Sequence, residues 1–318
     1  MTTINREKAL AALLGVAIGD ALGGPVEFMS RKDILQTHGG PIESMIGGGW
    51  LNLEPGETTD DTAMTVAVLE GIQERREDPV ARIGDHFLAW VDTNPKDIGG
   101  TCAQAISRAR RAIEVGSGNK QVAWQLAGTT TAEANGHRSG GNGALMRTVP
   151  VAIAYDGAEL EERTKEIAEM THYDELSTAI CTGYNKVIRA LLEGRKDDAL
   201  KLLNHQAMEY FNVQTKPSGW SKDSIDCAYK AIADGLNTKA RRKQPDADRQ
   251  AFKDALLCAV NWGGDADTIG AITGGLAGAL FGLQAIPEEW IAAVDKANPG
   301  LIDKFQNFVK EAEAWAAE

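Results

Sequence analysis

The run GGDADTIGAITGGLAGALFGL at residues 263–283 decides how the rest of the chain is read. Its apolar residues recur at helical spacing, and glycine returns every four residues at Gly270, Gly274, Gly278 and Gly282. Each interior glycine costs a helix about 1 kcal/mol relative to alanine, so several together need an offset. A flat glycine face supplies one by letting a second backbone come close. Near the other end of the chain, Gly15, Gly19 and Gly23 repeat the spacing. The two striped helices are expected to pack on each other at the centre of the molecule.

Outward from that pair, helical periodicity marks 4–22, 62–73, 80–92, 101–114, 160–171, 175–193, 198–212, 223–235, 249–261 and 301–317. Glycine-rich breaks separate these segments, among them Gly47-Gly-Gly49, Gly99-Gly100, Ser139-Gly-Gly-Asn-Gly143, Pro217-Ser-Gly219 and Gly263-Gly264. No convincing alternating strand, repeat or low-complexity linker interrupts the 318 residues. The fold class is therefore all-α, with one domain expected over 1–318.

The chain carries 33 basic and 45 acidic side chains, a formal net charge of −12. That balance argues against broad nucleic-acid binding, which needs clustered Lys and Arg to replace phosphate counterions. The one dense basic run, Lys239-Ala-Arg-Arg-Lys243 before Pro245, reads as a solvated helix end or loop. Cys102, Cys181, Cys227 and Cys258 form no C-x-x-C pair and fit reduced thiols, hence a cytoplasmic location. Arg6 and Lys8 before the small apolar run 9–18 imitate a signal peptide, but Gly15, Gly19 and Asp20 interrupt it. The apolar stretch 269–283 falls short of the ~20 residues of a membrane helix, so no transmembrane segment is expected.

Signatures of serine hydrolases, zincins, P-loop and dinucleotide-binding proteins are missing. The histidines at 38, 86, 137, 172 and 205 show no metal-ligand spacing. Paired acids beside threonines stand out instead. Thr58-Thr-Asp-Asp-Thr62 opens one helical segment, and Gly263-Gly-Asp-Ala-Asp-Thr268 opens the striped helix. A helix start needs only one short polar cap, so two aspartates at each exceed the requirement. Should the two starts converge, Asp60, Asp61, Asp265 and Asp267 would repel one another unless cations lie between them. Two divalent ions balance that charge, and hard oxygen donors suit Mg²⁺ or Mn²⁺ rather than Zn²⁺.

Five segments in order, Gly19-Asp-Ala-Leu-Gly23, Thr59-Asp-Asp-Thr62, Gly141-Asn-Gly-Ala-Leu-Met-Arg147, Thr171-His172 and Gly263-Gly-Asp-Ala-Asp-Thr268, resemble the ADP-ribosylglycohydrolases. The resemblance implies a compact, orthogonal multi-helix domain that removes ADP-ribose from a modified protein with two bound Mg²⁺ or Mn²⁺ ions. It makes Thr59, Asp60, Asp61, Asp265, Asp267 and Thr268 the metal ligands and Asp97 the acid/base near the ribose. It also places Glu27 on a mobile loop at the metals, as a second catalytic carboxylate, and gives Asp20 a structural part. The Gly47–Gly56 segment and Asp97-Ile-Gly-Gly-Thr-Cys102 look most like the branch acting on an arginine of the nitrogenase iron protein. For that branch the resemblance further implies control by a PII signalling protein; a monomer is expected. Other ADP-ribosyl linkages, or a non-catalytic ADP-ribose binder, are the alternatives.

An acidic protein must hold a pyrophosphate with local donors. Backbone N–H groups in glycine loops and at helix starts serve without a cationic side chain. Gly141, Asn142 and Gly143 are the first choice, Gly99, Gly100 and Thr101 the second, and His172 joins them through the resemblance. Arg147 is expected either on phosphate or in an internal salt bridge. The family's T-H-x-x-P appears here as Thr171-His-Tyr-Asp-Glu175, and an expected tyrosine near Asp223 is missing, a gap that Trp220 is a candidate to fill.

Overall fold

Two glycine-striped helices run antiparallel in direct backbone contact through the middle of the computed structural model, which describes residues 2–116, 119–208, 216–241 and 246–316. A Cβ built on Gly15 would stand 2.0 Å from the Gly274 carbonyl oxygen, and one on Gly19 would stand 1.9 Å from that of Gly270. The same register continues to Gly23 against Ala266 and to Gly278 against Ala11. Only glycine leaves room for such an approach. Gly282 is the exception: it lies past the helix end at φ 84°, and a Cβ there would meet nothing within 4 Å.

In chain order the helices are α1 (Arg6–Gly23), α2 (Arg31–His38), α3 (Asp60–Glu74), α4 (Val80–Asp92) and α5 (Gly100–Glu114). Then come α6 (Lys120–Ala134), α7 (Val149–Ala154), α8 (Gly157–Glu169), α9 (Glu175–Leu192) and α10 (Lys196–Met208). The last five are α11 (Ser221–Arg241), α12 (Ala247–Val260), α13 (Ala266–Phe281), α14 (Glu288–Ala297) and α15 (Leu301–Trp315). Every expected helical segment lies on one of these, and no strand occurs among the described residues, only isolated bridges. Residues 209–212 and 317, and Arg242, Lys243 and Pro245 of the basic run, lie outside the described residues.

The periodicity did not announce α2, α6, α7 and α14. Helix α2 buries only Ile34 and is fixed by a capping box in which Ser30 and Asp33 bond each other's backbone N–H. Helix α6 hides small residues around Trp124 while leaving Val122 and Leu126 exposed. All six residues of α7 are buried, so it has no polar face to set a period.

The core runs from Ile4 to Ala312, and α1 and α13 are its axis. Among the described residues α1 is the one helix long and apolar enough to cross a membrane, over Arg6–Val26, and 94% of that window is buried in the protein. Its burial explains its composition: it is a core helix surrounded by other helices. What matters for function is where the axis ends. The C-terminal end of α1 and the start of α13 meet at Gly23 and Ala266, beside both acid clusters.

Candidate active site

Asp20, one turn before the end of α1, ties the first acid cluster to the axis. It is fully buried and accepts from the N–H and hydroxyl of Thr59 at 3.0 and 2.8 Å and from those of Thr62 at 3.1 and 2.5 Å. The start of α3 is thereby capped from another helix, and the Thr59 side chain makes no cap bond of its own. Nor does the Asp265 side chain cap α13. The acids at these two helix starts are thus in excess of capping needs.

The two starts do converge. Asp61 Oδ2 faces the hydroxyls of Thr59 at 3.3 Å and Thr268 at 3.5 Å, joining α3 to α13. Asp61 Oδ1 is buried with no hydrogen-bond partner among the described residues. Carboxylate oxygens of Glu27, Asp265 and Asp267 all lie within 4.8 Å of one another. Burial together with neighbouring acids pushes Asp60 up to about 7 and Glu27 up to about 8, and raises Asp61 and Asp267 well above the usual carboxylate range. The three convergent oxygens of Glu27, Asp265 and Asp267 are spaced to suit a hard divalent cation, and Asp61, bonded to Thr268 next to Asp267, carries a buried oxygen still without a partner.

Glu27 follows the Gly24–Val26 turn that ends α1 and is 7% exposed. Trp50 Nε1 donates to its Oε2 at 2.7 Å. The next residues are stitched to the second cluster: Phe28 N–H donates to Gly264 O at 2.6 Å, and Gly264 N–H donates to Met29 O at 2.8 Å. In this conformation the loop expected to be mobile is held at both ends.

A cavity of about 580 Å³ opens over these acids. Asp97, Gly99, Gly100 and Thr101 line one side, Gly141, Asn142, Gly143 and His172 another, and Glu27, Asp60, Asp265, Asp267 and Thr268 the floor. Thr59 and Asp61 stand behind the floor, outside the lining. Gly99 N–H donates to Asp60 Oδ2 at 3.1 Å, which aligns the start of α5 with the first cluster. The N–H groups of the first turn of α5 have no helical acceptor of their own and face a ligand-sized space. Asn142 spends its amide on Ser224 Oγ at 2.9 Å and Asp265 Oδ2 at 2.5 Å, so it also orients a floor carboxylate.

Arg147 departs from both expectations. It is fully buried, does not line the cavity, and has no acid as a salt-bridge partner among the described residues. It donates to the Gly143 carbonyl, to Ile167 O at 3.3 Å and to Thr171 Oγ1 at 2.8 Å, and stands over the Phe87 ring. Its work is to hold the glycine loop from behind. His172 does the same from the side: a Cβ on Gly143 would meet its ring at 2.8 Å. Burial and the nearby Arg147 push His172 down to about 3, so it stays neutral near pH 7.

The altered T-H-x-x-P segment keeps its architecture. Asp174 caps α9 by accepting from Ser177 N–H at 2.8 Å, and Glu175 takes the first helical position, where proline is also well tolerated. Trp220 pairs with Gly141 through an isolated bridge and does not line the cavity. The wall there is Pro217, Ser218 and Gly219, which the sequence marked only as a break. Asp223 anchors that wall by accepting from Ser218 Oγ at 2.6 Å. Phe28, Ile98, Cys102 and Met146 also line the cavity; the last three lie in the 97–102 and 141–147 segments of the resemblance, and none of the four was expected there as a contact.

The all-helical fold thus presents two acid clusters at one end of its central axis to a glycine-walled cavity. The ADP-ribosylglycohydrolase family model matches residues 1–317, and the chain belongs to that family. It is 34% identical over 299 residues to the ADP-ribosyl-[dinitrogen reductase] glycohydrolase of Rhodospirillum rubrum, covering 91% of this chain and 90% of that protein. It is 28% identical to the ADP-ribosylarginine hydrolase Tri1 of Pseudomonas putida (strain GB-1), covering 91% of this chain and 74% of the relative. A solved ADP-ribosylglycohydrolase-related protein complex superposes with a TM-score of 0.75 at 27% identity, over 98% of each chain.

Proposed function

We propose that this chain is a divalent-metal-dependent hydrolase that cuts the N-glycosidic bond between ADP-ribose and an arginine side chain of a target protein, with dinitrogenase reductase as the model target. The convergence of the α3 and α13 starts beneath one cavity carries the metal reading. The name of the Pseudomonas relative supports arginine as the linked residue, and that of the Rhodospirillum relative supports dinitrogen reductase as the target.

Thr59, Asp60, Asp61, Asp265, Asp267 and Thr268 would hold two Mg²⁺ or Mn²⁺ ions. Such ions, when bound, neutralise the four aspartates and polarise ribose or water oxygens. The N–H groups of Gly100 and Thr101 and of Gly141 and Gly143 take the pyrophosphate, those of Gly99 and Asn142 being bonded to Asp60 and to the Gly219 carbonyl, and His172 supports the second loop as a neutral ring. Asp97 accepts a proton from the attacking water or a ribose hydroxyl and returns it during cleavage. The C–N bond breaks, the water oxygen joins the anomeric carbon, and the water proton ends on the guanidine nitrogen. Neutral guanidine is a strong base, so the departing group stays protonated. Glu27, at the edge of the floor, is the second proton-handling carboxylate.

The test is anomalous diffraction from a crystal soaked in Mn²⁺. Two peaks between Asp60, Asp61, Asp265 and Asp267 are expected. One peak, or peaks ringed by histidine, would rule out the dinuclear carboxylate centre.

A further inference from the structure

Phe28, on the cavity lining, and Trp50 beside it are left in solvent, 68% and 53% exposed, with ring centroids 5.6 Å apart and planes tilted by 38°. Exposed large apolar groups of this kind mark sites where something docks. Local backbone holds both rings in place. Phe28 takes φ 62°, in the left-handed region that residues other than glycine rarely visit, and its N–H is bonded to Gly264 O. Trp50 tops a hairpin in which Gly48 and Leu53 exchange two backbone hydrogen bonds of 2.7 and 2.8 Å. Gly47, Gly48 and Gly49 all have positive φ, and a Cβ on Gly49 would stand 2.8 Å from Pro25 O. The glycines therefore seat the hairpin on the very turn that carries Glu27, where the indole N–H reaches that carboxylate. Apart from that indole bond to Glu27, the hairpin has no part in the chemistry described above.

We propose that the Phe28–Trp50 pair receives the guanidinium cation of the modified arginine and so selects arginine-linked substrates; the inference rests on the arginine reading of this same site. Charge complementarity carries it. Phe28 lines the cavity together with Glu27, Asp97 and Asp265, so a planar cation lying on a ring also faces carboxylates. Guanidinium stacks on aromatic faces as well as pairing with acids, whereas an uncharged leaving group gains nothing from the ring quadrupole.

Phe28→Leu removes the π face and keeps apolar bulk, and Phe28→Tyr keeps the face. The measurements are KM for an arginine-ADP-ribosylated peptide and the inhibition constant of free ADP-ribose, on the metal-loaded enzyme. Phe28→Leu is expected to raise KM about five- to tenfold while the ADP-ribose constant changes less than about twofold, and Phe28→Tyr should restore KM. An unchanged KM overturns the inference. A parallel weakening of ADP-ribose also overturns it, because the rings then stack the adenine. If the wild type leaves the arginine-linked peptide uncut, the functional reading itself fails and this inference goes with it. A wild type that cuts the peptide while Phe28→Leu cuts it equally well removes the inference alone.

Discussion

Asp97 and Asp20 are both aspartates of this site, and their surroundings divide their work. Asp20 is sealed in the core and bonded by two threonines, so it fixes the start of α3. Asp97 stands on the cavity wall, where it can meet a substrate. Asp97→Asn is expected to keep both metal binding and ADP-ribose affinity while turnover falls about a hundredfold or more, because the amide cannot accept and return a proton. Steady-state kinetics beside ADP-ribose calorimetry checks this, and near-full turnover would reduce Asp97 to a positioning residue. Asp60, Asp61, Asp265 and Asp267 were legible in the sequence because two aspartates at a helix start exceed what a cap uses, whereas Asp97, Asp20 and Glu27 came only through the resemblance. Arg147 was not: an arginine after a glycine loop looks the same whether it binds phosphate or, as here, a buried carbonyl. The partnership of Trp50 with Glu27 joins two loops, and no local pattern encodes it.

At the scale of elements, the glycine stripes were the most informative feature, since their cost to each helix has only one geometric remedy. The contact is tight enough to test. In Gly274→Ala the new Cβ would lie 1.9 Å from Gly15 O, so α1 and α13 must separate along their length. The helix-propensity gain of about 1 kcal/mol is outweighed by a loss expected at about 3 kcal/mol or more. With a net loss of about 2 kcal/mol or more, a melt should show a fall of roughly 3 °C or more. Gly40→Ala, with open space around it, should move stability by less than about 0.5 kcal/mol. Equal melting temperatures for the two variants would contradict the axis. Elements without a polar face or with few buried residues, such as α7 and α2, left no period to read. Their positions come from tertiary contacts and from a cap.

For the whole molecule, the site is a concentration of acid in a chain that already carries a net charge of −12. Without metal, Asp60 titrates near 7, Glu27 near 8, and Asp61 and Asp267 well above their ordinary range. The unfolded chain releases these protons near pH 4, while the folded chain holds them. Metal-free stability should therefore fall as pH rises from about 5 to 8, and saturating Mn²⁺ should remove the decline. Melts at pH 5, 6.5 and 8 with chelator or metal measure it, and a metal-free protein equally stable at both ends would contradict the raised values. The reaction class was legible because five motifs keep their order across the chain, whereas the cavity walls are assembled from distant loops. An arginine-ADP-ribosylated target, incubated with the enzyme and followed by mass spectrometry, should yield unmodified arginine and free ADP-ribose with Mg²⁺ or Mn²⁺ and neither with chelator. Turnover that survives chelation, or cleavage of a serine-linked target in preference to the arginine-linked one, would contradict the proposed reaction.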